Sequence, residues 1–353
     1  MIDILKAAIQ NGASDIHIKA GDYIRARVRG DLVPMTKQQL APEQTRQLAH
    51  QLLPAWEKDK IDQLRDFDCS WGAPGVGRFR VNILRQRGSL MIVMRVIPIE
   101  IPTVEDLKLP SVLSRIAEHE RGLVLVTGVT GSGKSTTLAA MLLHINRNFH
   151  KHIVTLEDPI EFLHRDVNSS ITQREVGLDT ESFASGLRAA LREDPDVILV
   201  GEMRDTETID TALKAAETGH LVFSTLHTQN AVQTLSRIVA VFPPEEQAMV
   251  RVRLSETLQG VISQRLLPKK DGKGRIAACE VMVATGTIKD AIRDPARTDE
   301  IFDLIAEGRE TYGSQTFDQH LIDLVAADIV DFETAKANAN NPTDFELKVK
   351  TFA

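Results

Sequence analysis

Residues 123–145 read LVLVTGVTGSGKSTTLAAMLLHI. An apolar run stops at a glycine-rich turn, and Lys134, Ser135 and Thr136 then open a segment rich in Ala and Leu. This is Gly-x-x-x-x-Gly-Lys-Ser set between a strand and a helix. In that setting backbone N–H groups gather round a β-phosphate, and the helix N-terminus adds its partial positive charge. The stretch predicts a nucleotide-binding α/β domain. Gly128, Thr130, Gly131, Ser132, Gly133 and Thr136 form the cradle, Lys134 reaches the β- and γ-phosphates, and the Ser135 hydroxyl is placed for Mg²⁺. An ordinary glycine turn before a helix would need neither the lysine nor the hydroxyl.

Outward from this stretch, the apolar runs GLVLVTG, HIVTLED, DVILVGE and LVFSTLH recur between Ser111 and Pro268, separated by helical segments. Strands alternating with helices predict a mostly parallel sheet covered on both faces. Ligands of such sheets bind beyond the carboxyl ends of the strands, so the polar residues there are the candidates. Glu202 follows DVILV and is placed to take the proton of a water attacking the γ-phosphate. TLEDPIEF offers Glu157, Asp158 and Glu161 for positioning water or Mg²⁺, although Asp-Pro is also a routine turn starter. STLHTQNA places Thr225 and His227 at a third strand end, whereas His220 precedes that strand.

The rest of the chain frames this domain. ASDIHIKAGDYIRARVRG alternates apolar and polar residues, residues 42–64 have helical spacing, and GRFRVNIL, the turn QRGS and LMIVMRVI read as a hairpin. In the hairpin Arg80 falls on the polar face. Arg95 interrupts an apolar run, and a buried arginine would need an anion. Three prolines in VIPIEIPTVEDLKLP mark a linker, giving expected boundaries of 1–97, a linker at 98–110, a core at 111–286 and a helical region at 287–353. The net charge of −7 argues against a surface that tracks nucleic acid, and no aromatic residues interleave with a basic stripe. MIDILKAAIQNGASD lacks the order of a signal peptide, and no apolar run approaches the ~20 residues of a membrane helix, so the chain is expected in the cytoplasm. Cys69 and Cys279 stand alone, which suits core residues rather than a disulfide framework or a four-cysteine zinc site.

ASDIHI, GVTGSGKSTT, TLEDPIEF, ILVGEMRD, GHLVFSTLHTQNA and LQGVISQRLLP, in that order over nearly the whole chain, resemble the secretion-type hexameric ATPases. The resemblance implies a PAS-like N-terminal α+β domain joined to a RecA-like P-loop domain with a helical C-terminal region. It also implies a Walker A motif at Gly128 to Ser135, an acidic box at Glu157 to Glu161, a Walker B acid at Glu202 and a histidine box at His220 to His227. Arg80 in FRVN and Arg95 in VMRVIP match arginines that this family brings to the phosphates.

The early ASDIHI strand and the ending QTFDQHLIDLV…NPTDFELKVK are similar to the PilT-like retraction branch. This implies an ATP- and Mg²⁺-dependent homohexamer that retracts a type IV pilus and powers twitching motility. Its implied place is the cytoplasmic side of the inner membrane at the pilus base, on a platform protein, opposed by an assembly motor. An assembly or secretion motor, and a nucleic-acid translocase, are the alternatives. One departure stands out: retraction motors commonly contain AIRNLIRE, and residues 291–298 here read AIRDPART. Asp294 followed by Pro295 disfavours a continuous helix yet suits an N-cap and first helical position, so the element is expected to be redrawn.

Overall fold

The computed structural model describes residues 1–98 and 100–352, with side chains up to residue 349. Ile99 in the expected linker and Ala353 in the expected C-terminal region lie outside the described residues. The chain forms two compact units, Met1–Glu100 with Pro159–Leu163, and Ile101–Asp158 with His164–Ala353.

In the first unit the alternating segments become β1 (Ala13–Lys19), β2 (Arg25–Val28), β5 (Gly77–Gln86) and β6 (Ser89–Ile97), and two stretches that the sequence reading does not single out add β3 (Asp31–Pro34) and β4 (Asp66–Ala73). Among the described residues they form one sheet in the order β3-β2-β1-β6-β5-β4, with antiparallel neighbours throughout. The β5–β6 hairpin turns at Arg87 and Gly88, both at positive φ, which matches the twist of the flanking strands. Phe79, Val81 and Ile83 are fully buried, while Arg80 between them is exposed. The helical spacing of 42–64 resolves into a helix Pro42–Leu52 and a single turn Ala55–Lys58, because Pro54 forbids continuation. Leu5, Ala8, Ala49 and Leu52 from the helices close the core over this sheet.

The second unit holds β7 (Gly122–Thr127), β8 (His152–Glu157), β9 (Ser170–Glu175), β10 (Val197–Val200), β11 (Leu221–Leu226), β12 (Leu258–Pro268) and β13 (Arg275–Val283). Their order is β13-β12-β7-β11-β10-β8-β9, parallel except for the β12–β13 hairpin. β7 shows why the run LVLV is continuous: Leu123 and Leu125 enter one core, and Val124 and Val126 enter the other. A sheet covered on both faces needs apolar residues at every position.

Three strands of this unit were not legible as such. SITQRE of β9 has no apolar alternation because it is an edge strand, β12 stood in the sequence only as the motif LQGVISQRLLP, and the sequence reading does not single out β13. Val104 and Leu109, within the stretch expected to be linker, are buried in the second unit's core. The helical C-terminal residues are also integral to this unit. Ile288, Ala291, Ile292, Ile301 and Ile305 join one core face, and Phe317, Leu321, Leu324 and Phe345 pack on Leu267, Ile276 and Ala278 of the hairpin. The segment 291–298 is redrawn in the expected way. The helix Gly286–Arg293 stops at Asp294, whose carboxylate caps a 3₁₀ turn Pro295–Glu300 by accepting the Ala296 N–H at 2.9 Å. No described helix is long and apolar enough to cross a membrane.

Candidate nucleotide site

The loop after β7 is shaped by its glycines. A Cβ on Gly128 would lie 2.5 Å from the Gln264 carbonyl oxygen and from Ser132 Oγ, so no larger residue fits there. Gly133 stands in the left-handed region at φ 94° and starts the helix Lys134–Asn148. Lys134 is nearly buried, its Nζ donating to the carbonyls of Gly128 at 2.9 Å and Val129 at 3.2 Å. The ammonium is thus held over its own loop. Ser132 Oγ is buried without a hydrogen-bond partner, which in a native fold calls for a ligand or water. Thr130 and Gly131 are exposed, and Ser135 and Thr136 are half-buried on the first helical turn. A lysine, an orphaned hydroxyl and glycines that clear the space fit a polyphosphate, and Ser135 fits a cation beside it.

A row of polar side chains lines the same edge of the sheet. Thr225, at the end of β11, donates to the Gly201 carbonyl at 2.6 Å, and Ser224 to that of Val200 at 2.7 Å, so the ends of β10 and β11 are stitched together. Immediately beyond them, Glu202 accepts from Arg204 Nε at 2.6 Å and His227 Nε2 at 3.1 Å. Burial pushes the Glu202 carboxyl upward, but Arg204 and His227 outweigh it and hold the acid below the usual glutamate range. Glu157 ends β8 and accepts from Thr155 Oγ1 at 2.8 Å and Gln173 Nε2 at 3.0 Å. The structure therefore brings together the phosphate loop, Glu157, Glu202, Thr225 and His227.

Other candidates lie elsewhere. His220 sits at the amino end of β11, about 20 Å of strand away from His227, where Nδ1 approaches the Ala215 carbonyl at 2.9 Å and closes the end of the helix Thr206–Glu217. Glu161 falls in the segment that groups with the first unit. Arg80 and Arg95 belong to the first unit, directly opposite one another across β5 and β6. The expectation of a buried Arg95 is corrected: its side chain is 69% exposed and pairs with Asp15 at 2.9 Å. Strand alternation explains it, since Leu90, Ile92 and Met94 take the core and Arg95 shares the opposite face with Met91 and Val93.

Two residues went unnoticed in the sequence. Arg204 stood inside GEMRD with no apolar or spacing signal to single it out. Gln173 braces the acidic loop at both ends, donating to Glu157 and accepting the His164 N–H at 2.9 Å, but it lies on β9, which sequence pattern did not reveal.

The family described as type II/IV secretion system protein matches residues 1–320. The chain is 47% identical to the type IV pilus retractation ATPase PilT of Pseudomonas aeruginosa, covering 97% of this chain and 99% of that one. It is 42% identical to the type IV pilus ATPase PilU of the same organism, covering 98% and 90%. A crystal structure of the pilus retraction motor PilT with bound ADP superposes with a TM-score of 0.90 at 45% identity, covering 98% and 99%. The second unit is accordingly a RecA-like nucleotide-binding domain, and the chain belongs to the type II/IV secretion system protein family, as an ATP-hydrolysing enzyme of the PilT-like pilus retraction group.

Proposed function

We propose that the chain withdraws a type IV pilus as a homohexameric ring on the cytoplasmic side of the inner membrane. It works against a platform protein at the pilus base and in opposition to an assembly motor, with no part for nucleic acid. Lys134 binds the β- and γ-phosphates, and Gly128, Thr130, Gly131, Ser132, Gly133 and Thr136 enclose them. Ser135, with Glu157 directly or through water, holds Mg²⁺, which neutralises charge on the phosphate oxygens when bound. Glu202 takes the proton of the attacking water while the bond from the γ-phosphorus to the bridging oxygen breaks, its electron pair leaving with ADP. His227 donates to the γ-phosphate, and Thr225 keeps the strand ends in register.

Arg80 and Arg95 supply the mechanical link. Two guanidinium groups directly opposite one another repel, and Asp15 offsets only part of that charge, so a polyphosphate would relieve it. Closure of domain 1–97 on the second unit, to which Val104, Leu109 and 287–353 belong, is the stroke, and hydrolysis reverses it.

The observation that carries this reading is the unbroken strand-end row in a chain that aligns end to end with a retraction motor. Deleting the gene in its host and counting surface pili tests it. Excess pili on cells that do not twitch are expected, with reversal by the wild-type gene. Bald cells would make the protein an assembly motor instead.

A further inference from the structure

Glu202 Oε1 takes both of the hydrogen bonds described above, from Arg204 and from His227. One of the two carboxylate oxygens therefore already carries two donors, which makes the carboxylate a weaker base. The two donors differ in freedom. His227 follows β11 directly, while Arg204 lies in an irregular loop between β10 and the helix Thr206–Glu217, with its side chain 75% exposed. With the guanidinium this open to solvent the pair is screened and contributes modestly, so exchanging the carboxylate for another anion costs little. Asp158, at the end of β8, also acts on Arg204 through its charge. The phosphate loop follows β7, two strand spacings from β10 in the order β7-β11-β10. That is roughly 10 Å, within reach of an extended arginine side chain.

We propose that Arg204 is a latch on Glu202, closed on the carboxylate in the absence of a γ-phosphate and transferred to a γ-phosphate oxygen when a nucleoside triphosphate fills the loop. The proposal rests on the reading of Glu202 as the base. It makes the base stronger when there is a bond to break. The guanidinium leaves Oε1, water donates its proton to that oxygen as its own oxygen bonds to phosphorus, and ADP departs with the electrons of the broken bond. Arg204 meanwhile shares the charge on the transferring group. After phosphate leaves, the glutamate loses its proton to solvent and the latch closes again. ADP alone has no γ-phosphate to draw Arg204 away, so the ADP state is a latched state.

Binding of adenylyl imidodiphosphate and of ADP, each with Mg²⁺, to full-length Arg204→Ala and Arg204→Lys tests this without requiring turnover. For Arg204→Ala the expected result is about tenfold or greater weakening of the triphosphate analogue, with ADP within about twofold of the parent. Arg204→Lys should recover part of the loss. Equal weakening of both nucleotides would make Arg204 a structural support of its loop, and no change in either would reduce it to a surface ion pair. Either outcome overturns the latch. Pilus counts on the deletion strain judge the retraction reading separately, so the two can fail independently.

Discussion

Glu202 and Glu280 lie in the same unit and differ in almost everything that sets a carboxylate's behaviour. Glu202 stands past the end of a parallel strand, partly open to solvent, with a guanidinium and an imidazole on one oxygen. Glu280 is 1% exposed on β13, opposite Ser263 in the hairpin, and accepts the Ala231 N–H at 2.8 Å. Burial pushes its carboxyl up to about 7, with the Ala231 bond and the charge of Arg265 acting in the opposite direction. The comparison separates chemistry from scaffold. A guanidinium and an imidazole donor at a strand end keep an acid ionised and exchangeable, whereas a buried acid at a helix N-terminus holds that helix in place. The helix in question, Ala231–Ala240, begins just after His227, so the hairpin acid supports the loop that the strand-end acid uses.

The largest effect is expected from Glu202→Gln. Nucleotide should bind as in the parent, and steady-state hydrolysis should fall by roughly 10²–10⁴. If binding is lost to the same degree, Glu202 is scaffold after all and the contrast with Glu280 collapses. His227→Ala comes next, with a fall of roughly 10²–10³-fold in kcat and a melting temperature within ~2 °C of the parent, because its side chain is 42% exposed and little packing is removed. Early melting or aggregation would reassign His227 to the scaffold.

The smallest effect on activity is expected from Glu280→Gln, which keeps an oxygen for the Ala231 N–H. Its signature is in stability. A folded-state value raised from 4.5 to about 7 means that the native state keeps a proton the unfolded chain has released. The contribution is therefore present below pH ~4.5 and lost as pH rises to ~7, by about 3 kcal/mol at most. Glu280→Gln should flatten the dependence of melting temperature on pH across that window and leave hydrolysis at neutral pH within a few-fold. A hundredfold loss of kcat would bring the hairpin acid into the chemistry.

The strand-end row is largely legible in the sequence, because each member sits where a polar residue ends an apolar run: Glu157 after HIVTL, Glu202 after DVILVG, His227 after LVFSTL. Arg95 was misread for the converse reason. A run such as LMIVMRVI does not say which of its residues face the core, and the answer depends on the strands and helices packed against it. His220 and His227 are seven positions apart on one motif, yet a strand carries its ends to opposite edges of a sheet.

The sequence by itself determined the ligand class, the parallel sheet and its covered faces, since glycine spacing and continuous apolar runs act locally and admit few backbone conformations. Only the tertiary structure decided that Arg204 closes on Glu202, that Gln173 braces the acidic loop and that Glu280 anchors the helix after His227. The Gln173 and Glu280 contacts join residues brought together by strand order, which is fixed by burial summed over the whole sheet and which no short stretch of sequence encodes, while the Arg204 pairing depends on the irregular course of the loop after β10.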